Sequence, residues 1–131
     1  MDQCIFCKIV NKDIPSELIF EDDLTIAFMD AFPVSEGHLL IIPKHHYEKF
    51  HNIPEEVIEM ILKNLKRIVI AAGISNYNLL QNNGKIAGQT VFHAHFHLIP
   101  RDTDRIGFTY SFGALEGVDQ KTIAEKIRNN L

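Results

Sequence analysis

The sequence predicts an α+β domain on an antiparallel sheet of about five strands, and three observations support it. Short β-branched runs joined by tight turns occur on both sides of the chain's middle. One long amphipathic helix pattern separates them. A shorter helical pattern closes the chain. Neighbouring strands joined by short turns pair antiparallel, and the long apolar helix stripe needs a sheet face to bury itself on.

The elements follow in order. Residues 4–10 form a short amphipathic stretch of one or two helical turns, broken at Ile14-Pro15-Ser16. Residues 17–21 and 24–29 read as strands, with Glu21-Asp22-Asp23 turning between them. Residues 30–37 contain Pro33 and Gly37 and read as a loop. Residues 38–43 are an apolar run of strand length. Asn52 followed by Glu55 suggests a capping box for a helix over 52–72, with Pro54 in its first turn. Val57, Ile58, Ile61, Leu62, Leu65, Ile68, Val69 and Ala72 follow its 3.6-residue period, and Gly73 suits the C-terminal cap. Residues 77–81 read as a strand, 82–88 as a polar loop and 89–99 as a strand of strict alternation. Residues 119–131 read as a last helix with Ile123, Ile127 and Leu131 on one stripe.

Composition narrows the function classes. The 131 residues are 46% hydrophobic and 23% charged, which suits one globular domain over 1–131 and excludes a disordered chain. The net charge of −4 shows no basic footprint for a nucleic-acid partner. Apolar runs are only a few residues long, far short of the roughly 20 that a membrane helix needs. The start Met1-Asp2-Gln3-Cys4 has no basic segment followed by an apolar one, so a cytoplasmic location is expected.

Six of the seven histidines fall in two tight clusters, and one of these carries the chemistry. In the strand reading, His93, His95 and His97 share one face, while Phe92, Ala94, Phe96 and Leu98 turn to the core. The imidazoles then stand about 6.5–7 Å apart, too far for neighbouring rings to bond directly. Three ligands on one straight strand converge poorly on a single ion, since the outer two lie roughly 13 Å apart. The loop upstream, with Asn82, Gly84, Gly88, Gln89 and Thr90, supplies close backbone N–H groups and neutral donors suited to phosphate oxygens.

The run Gly88-Gln89-Thr90-Val91-Phe92-His93-Ala94-His95-Phe96-His97-Leu98-Ile99 resembles the signature of the histidine triad (HIT) superfamily. Ile14-Pro15, Phe28-Met29-Asp30 and Gly37-His38-Leu39-Leu40-Ile41-Ile42-Pro43-Lys44 extend the likeness over residues 4–101. The pattern is closest to the bacterial HIT and histidine triad nucleotide-binding branch. The resemblance implies the HIT-like fold and cleavage at the α-phosphate of purine nucleoside 5′-monophosphate derivatives. An adenosine phosphoramidase-like hydrolase or transferase would release AMP or GMP this way. His95 would be the nucleophile that carries the nucleotidyl group, with His97 and His38 facing the phosphate. Gln89 and Thr90 match positions that bond phosphate or leaving-group oxygens, with Gly88 in the same substrate-binding run, and Asn82 matches a phosphate- or ribose-side contact. Asp30 matches the ribose carboxylate, and Phe6, Phe28 and Ala31 match the purine slot. A neutral imidazole suits the nucleophile's role at neutral pH. Read alone, Asp30 could be an ordinary turn residue, Phe28 plain core and His38 a strand-edge histidine.

Cys4-Ile5-Phe6-Cys7 has three readings: a redox pair, two unrelated thiols, or half of a zinc site. The resemblance implies structural zinc on Cys4, Cys7, His46 and His93. His45 and His51 are then expected in solvent. The family also implies a homodimer. Two alternatives stay open: a dinucleoside polyphosphate hydrolase, and a zinc-stapled nucleotide-binding module without significant turnover. The tail over 102–131 departs from the close nucleotide-binding proteins, which leaves Arg101, Arg105, Tyr110 and Phe112 without an assigned role.

Overall fold

The structure, a computed structural model, describes residues 3–102, 104–107, 109 and 111–131; Tyr110 lies outside them. Five strands form one antiparallel sheet: β1 (Leu18–Glu21), β2 (Thr25–Met29), β3 (Leu39–Pro43), β4 (Tyr77–Gln81) and β5 (Phe96–Pro100). Their order across the sheet is β1-β2-β3-β5-β4. Three α-helices accompany them: α1 (Ile5–Val10), α2 (Glu55–Ala72) and α3 (Gln120–Asn130).

The pleat sorts the core into two layers. Ala27, Leu39, Ile41, Ala94, Phe96 and Leu98 face α2, meeting Val57, Ile61, Leu65 and Ile68. Ile26, Phe28, Leu40 and Ile42 face the other way and meet Phe6 and Ile9 of α1. The same parity places the chemistry. Asp30 follows Phe28 by two residues, His38 precedes Leu40 by two, and His97 pairs directly with Leu40. All three therefore fall on the α1 face, where the short helix covers the sheet only in part.

Helix α2 is held at both ends. Glu55 and Glu56 lie in its first turn, where the positive end of the helix dipole favours acids, and Gly73 takes the left-handed cap conformation at φ 66°. Its expected capping box is absent. Pro54 is the N-cap without a side-chain bond, and Asn52 Oδ1 instead accepts from Lys49 N–H (3.0 Å), closing a 3₁₀ turn. Leu62 and Ala72 of the expected stripe are exposed. A polar residue stands in the buried surface instead. The Asn64 side chain donates to Asp22 Oδ2 (2.9 Å) and Thr25 Oγ1 (3.0 Å), pinning the helix to the β1–β2 turn.

Two further expectations change. The strand expected over 89–99 begins only at Phe96, because residues 91–93 bend. Phe92, expected in the core, is 44% exposed in that bend. In α3, Asp119 caps the helix by accepting from Thr122 N–H (3.1 Å), but the stripe Ile123, Ile127 and Leu131 lies on the surface.

Candidate active site

The bend before β5 separates the three histidines that an unbroken strand would have aligned. His95 and His97 have ring centroids 5.0 Å apart, closer than strand spacing allows, while His93 turns away towards the cysteines. The rings of His93, His95 and His38 are each oriented by a backbone group, and that group decides which nitrogen holds the hydrogen.

His95 Nδ1–H donates to the carbonyl of His93 at 2.7 Å. A carbonyl only accepts, so the hydrogen sits on Nδ1 and the lone pair on Nε2 is free. Phe6 meets this ring edge-on at 5.0 Å. Burial pushes the His95 pKa below the ordinary imidazole range, against the opposing pull of the His93 carbonyl and the Asp30 charge. The ring is thus neutral at neutral pH and keeps a nucleophilic nitrogen.

His38 is set in the opposite sense. Its Nδ1 accepts from Val34 N–H at 3.1 Å, so its hydrogen lies on Nε2. That nitrogen is 2.8 Å from His97 Nδ1 and 3.4 Å from Asp30 Oδ2. His38 donates to His97 Nδ1, which leaves the His97 hydrogen on Nε2. Burial, followed by the neighbouring His95 and His38, pushes the His97 pKa down to about 4. Burial also lowers His38, with Asp30 opposing. Asp30 is itself held in an Asx turn, where its Oδ1 accepts from Phe32 N–H at 2.9 Å.

Among the described residues, two groups bring metal-type donors together: Cys4, Cys7, His46, His93 and Asp30, His38, His97. The second is unsuited to a metal, because His38 Nε2 carries a hydrogen and its Nδ1 is already committed as an acceptor. The first fits a metal well. His93 Nε2–H donates to the Pro43 carbonyl at 2.8 Å, which turns the Nδ1 lone pair towards Cys4 and Cys7 Sγ at 3.5 and 3.6 Å. His46 Nδ1 lies 3.3 Å from Cys7 Sγ. Burial and the adjacent Cys4 push the Cys7 thiol up to about 11, so a cation is what would let the pair ionise. Two sulfurs and two imidazoles are a tetrahedral zinc donor set.

Other expected site residues fall elsewhere. Gln89, expected at phosphate oxygens, is 1% exposed and spent on the backbone. Its Oε1 accepts from Gly84 N–H (2.8 Å), and its Nε2 donates to Glu48 O (2.8 Å) and Val91 O (3.1 Å). It holds the loop's shape and leaves no donor for substrate. Thr90 is exposed, while Asn82 is half-buried beside Gly88. At Gly88, with φ 98°, an added Cβ would press on the Asn82 amide at 3.4 Å. Phe6 and Phe28 pack edge to face at 5.7 Å and are both buried, so they form a floor beside His95 while Ala31 is exposed. His45 and His51 are exposed as expected, His45 against Tyr47.

Several contributors carried no sequence signal: the carbonyls of Pro43 and His93, Val34 N–H, and Tyr47 O, which accepts from Ala94 N–H at 2.6 Å. They act through the backbone, so their side-chain identity is silent.

Comparison with known proteins gives the family and the fold. The HIT domain model matches residues 11–104. The chain belongs to the HIT family. An uncharacterized HIT-like protein of Methanocaldococcus jannaschii is 40% identical over 95% of this chain and 98% of its own. An adenosine 5′-monophosphoramidase of Saccharomyces cerevisiae is 47% identical over 86% of this chain and 72% of its own. The crystal structure of a HIT family protein from Bacillus anthracis superposes with a TM-score of 0.91 at 36% identity, covering 99% of this chain and 98% of that one. This HIT protein thus shares the fold of solved relatives along nearly its whole length, the 102–131 tail included.

Proposed function

We propose that this HIT protein hydrolyses purine nucleoside 5′-monophosphate derivatives at the α-phosphorus, through a nucleotidyl intermediate on His95. The observation that carries this reading is the opposite fixing of two neighbouring rings. His95 presents a bare Nε2, while His97 presents a hydrogen on Nε2. The first can attack phosphorus, and the second can stabilise charge on the phosphoryl oxygens or the departing atom. Attack forms the phosphorus–Nε2 bond and breaks the bond to the leaving group. Water then displaces His95. Over the cycle the water's hydroxyl ends on phosphorus and its hydrogen on the leaving group. The likeness to the yeast adenosine 5′-monophosphoramidase supports an amine leaving group and adenosine as the nucleoside. Asp30 serves the ribose hydroxyls from the edge of the same face.

Zinc on Cys4, Cys7, His46 and His93 belongs to the same reading. Four protein ligands leave no open position, so the ion would staple α1 and the 43–47 segment beneath the His95 backbone. A homodimer also fits. Strand β4 lies at the sheet edge with Leu79 and Leu80 exposed, and α2 exposes Leu62 and Ile70. No helix among the described residues is long and apolar enough to cross a membrane.

The test follows AMP release from adenosine 5′-phosphoramidate and from diadenosine polyphosphates, for wild type and His95→Ala. Release from the phosphoramidate that disappears in His95→Ala is the expected result. AMP binding without release from either substrate would overturn it in favour of a binding module. Preferential release from the dinucleotides would move the enzyme to the dinucleoside polyphosphate branch.

A further inference from the structure

The segment beyond β5 has no role in the reaction as described so far, yet it touches the loop that orients His38. Gly107 N–H donates to Val34 O at 2.5 Å, and Ile106 forms a β-bridge with Ser35. Arg105 adds an ion pair with Glu36 at 3.8 Å. A Cβ on Gly107 would stand 3.3 Å from Val34 O, a tight contact that a shift of a few tenths of an ångström accommodates. Val34 in turn donates its own N–H to His38 Nδ1 at 3.1 Å. One residue is therefore gripped from the tail on its carbonyl side and grips the histidine from its amide side.

We propose that the 105–107 segment is a positioning strap that sets the proton position on the His38–His97 pair. Gly107 holds Val34, Val34 N–H keeps the hydrogen of His38 on Nε2, and His38 Nε2–H keeps the hydrogen of His97 on Nε2. A neutral imidazole has two tautomers of similar energy, so one amide hydrogen bond in a buried setting suffices to choose between them. Without the strap, the 30–37 loop keeps three other local ties, Phe32 N–H to Asp30 Oδ1, His38 N–H to Ser35 O and Asp30 N–H to His38 O. None of them engages Val34. Once Val34 turns away, His38 is free to move its hydrogen to Nδ1. Its Nε2 lone pair would then face the His97 Nδ1 lone pair, and His97 would have to reverse as well. The charged and titratable groups facing the pair are Asp30, at 3.4 Å from His38, and His95, edge-on to His97 with ring centroids 5.0 Å apart. The strap thus reaches the reacting phosphoryl group only through two histidines, and Gly107 and Val34 are positioning residues. The catalytic consequence rests on the proposed reaction; the tautomer assignment does not.

The experiment is ¹⁵N NMR of the full chain, wild type first. The expected result is a His38 pattern with hydrogen on Nε2, and scalar couplings across two N–H···N bonds. One coupling joins Val34 N to His38 Nδ1, and the other joins His38 Nε2 to His97 Nδ1. A wild-type His38 with hydrogen on Nδ1, or no coupling from Val34, overturns the proposal without any variant. Gly107→Pro then removes the donor to Val34, and Gly107→Ala keeps it. Gly107→Pro is expected to lose the Val34 coupling, populate the other His38 tautomer and lower kcat about tenfold, part of the 10²–10⁴ a positioned proton donor typically supplies. Its KM should stay within about twofold, because the nucleoside contacts are untouched. Gly107→Ala should keep the wild-type tautomer. A Gly107→Pro protein with the wild-type pattern, whatever its activity, overturns the strap. Wild-type couplings in a protein that releases no AMP would fail the proposed reaction and leave the strap standing.

Discussion

The two histidine clusters put one tautomer to different uses. In the cysteine cluster, His93 donates from Nε2 to Pro43 and offers the Nδ1 lone pair to two sulfurs. In the His38–His97 cluster, His38 accepts at Nδ1 and donates from Nε2. Both rings are buried, and burial lowers both pKa values. Both keep the hydrogen on Nε2, so what differs is the nitrogen that the backbone occupies. A carbonyl takes the His93 N–H and leaves a lone pair for the sulfurs, while an amide takes the His38 lone pair and leaves an N–H for His97. The polarity of one peptide group thus decides whether a ring offers a lone pair or a hydrogen.

The largest expected effect breaks one cluster and spares the other. His95→Ala should cost at least about 10³-fold in kcat, since the covalent route is lost, while zinc content measured by atomic absorption stays at that of wild type. The mirror experiment replaces Cys4 and Cys7 with Ser. Zinc content should fall to zero, and the melting temperature should drop by about 10 °C, because α1 loses its tie to the sheet. Activity should fall less steeply than in His95→Ala, with the KM for nucleotide rising as Phe6 loosens beside His95.

Acidification should act on both clusters in the same direction. The folded His97 has a pKa of about 4, below the ordinary value of 6.5 for an unfolded histidine. Between those values the unfolded chain binds a proton that the folded one does not, so stability falls as pH drops from 6.5 towards 4. Urea midpoints across that range should show the decline, and His97→Asn should make it shallower, with the buried His93, His95 and His38 carrying the rest. A decline unchanged in His97→Asn would place the titration elsewhere.

Smaller effects sharpen the picture around the clusters. Gln89→Ala leaves Gly84 N–H, Glu48 O and Val91 O unpaired and should cost about 2 kcal/mol by urea denaturation. It should also raise KM as the 84–91 loop loosens. His45→Ala is the contrast within the second histidine run. Its ring is exposed beside His46, the proposed zinc ligand, and replacement should leave zinc content unchanged and activity within about twofold.

Much of this was legible in the residues. The long helix, the short strands and the antiparallel sheet follow from hydrophobic period, and period survives in any fold that buries one face. The four metal-type donors and the His95–His97 pair were named from the family resemblance, and the fold brings both groups together. Period two failed at residues 89–95, where the chain bends instead of pairing. Alternation there arises because His93 and His95 each seek a backbone partner. Asn52 misled as a cap, since its side chain closes the preceding turn. Gln89 misled as a phosphate ligand, since a buried amide must first satisfy the backbone around it.

The sequence by itself determined which chemistry was available: two thiols, a set of imidazoles, a carboxylate and a glycine-bearing loop, arranged along elements whose periods dictate an α+β sheet. Tertiary structure alone decided how that chemistry is divided. The nitrogen of each imidazole that keeps its hydrogen depends on Pro43, His93 and Val34, through peptide groups that every residue carries alike. A side-chain alphabet cannot encode which peptide faces which ring. Only the packed chain brings a carbonyl to one histidine and an amide to another.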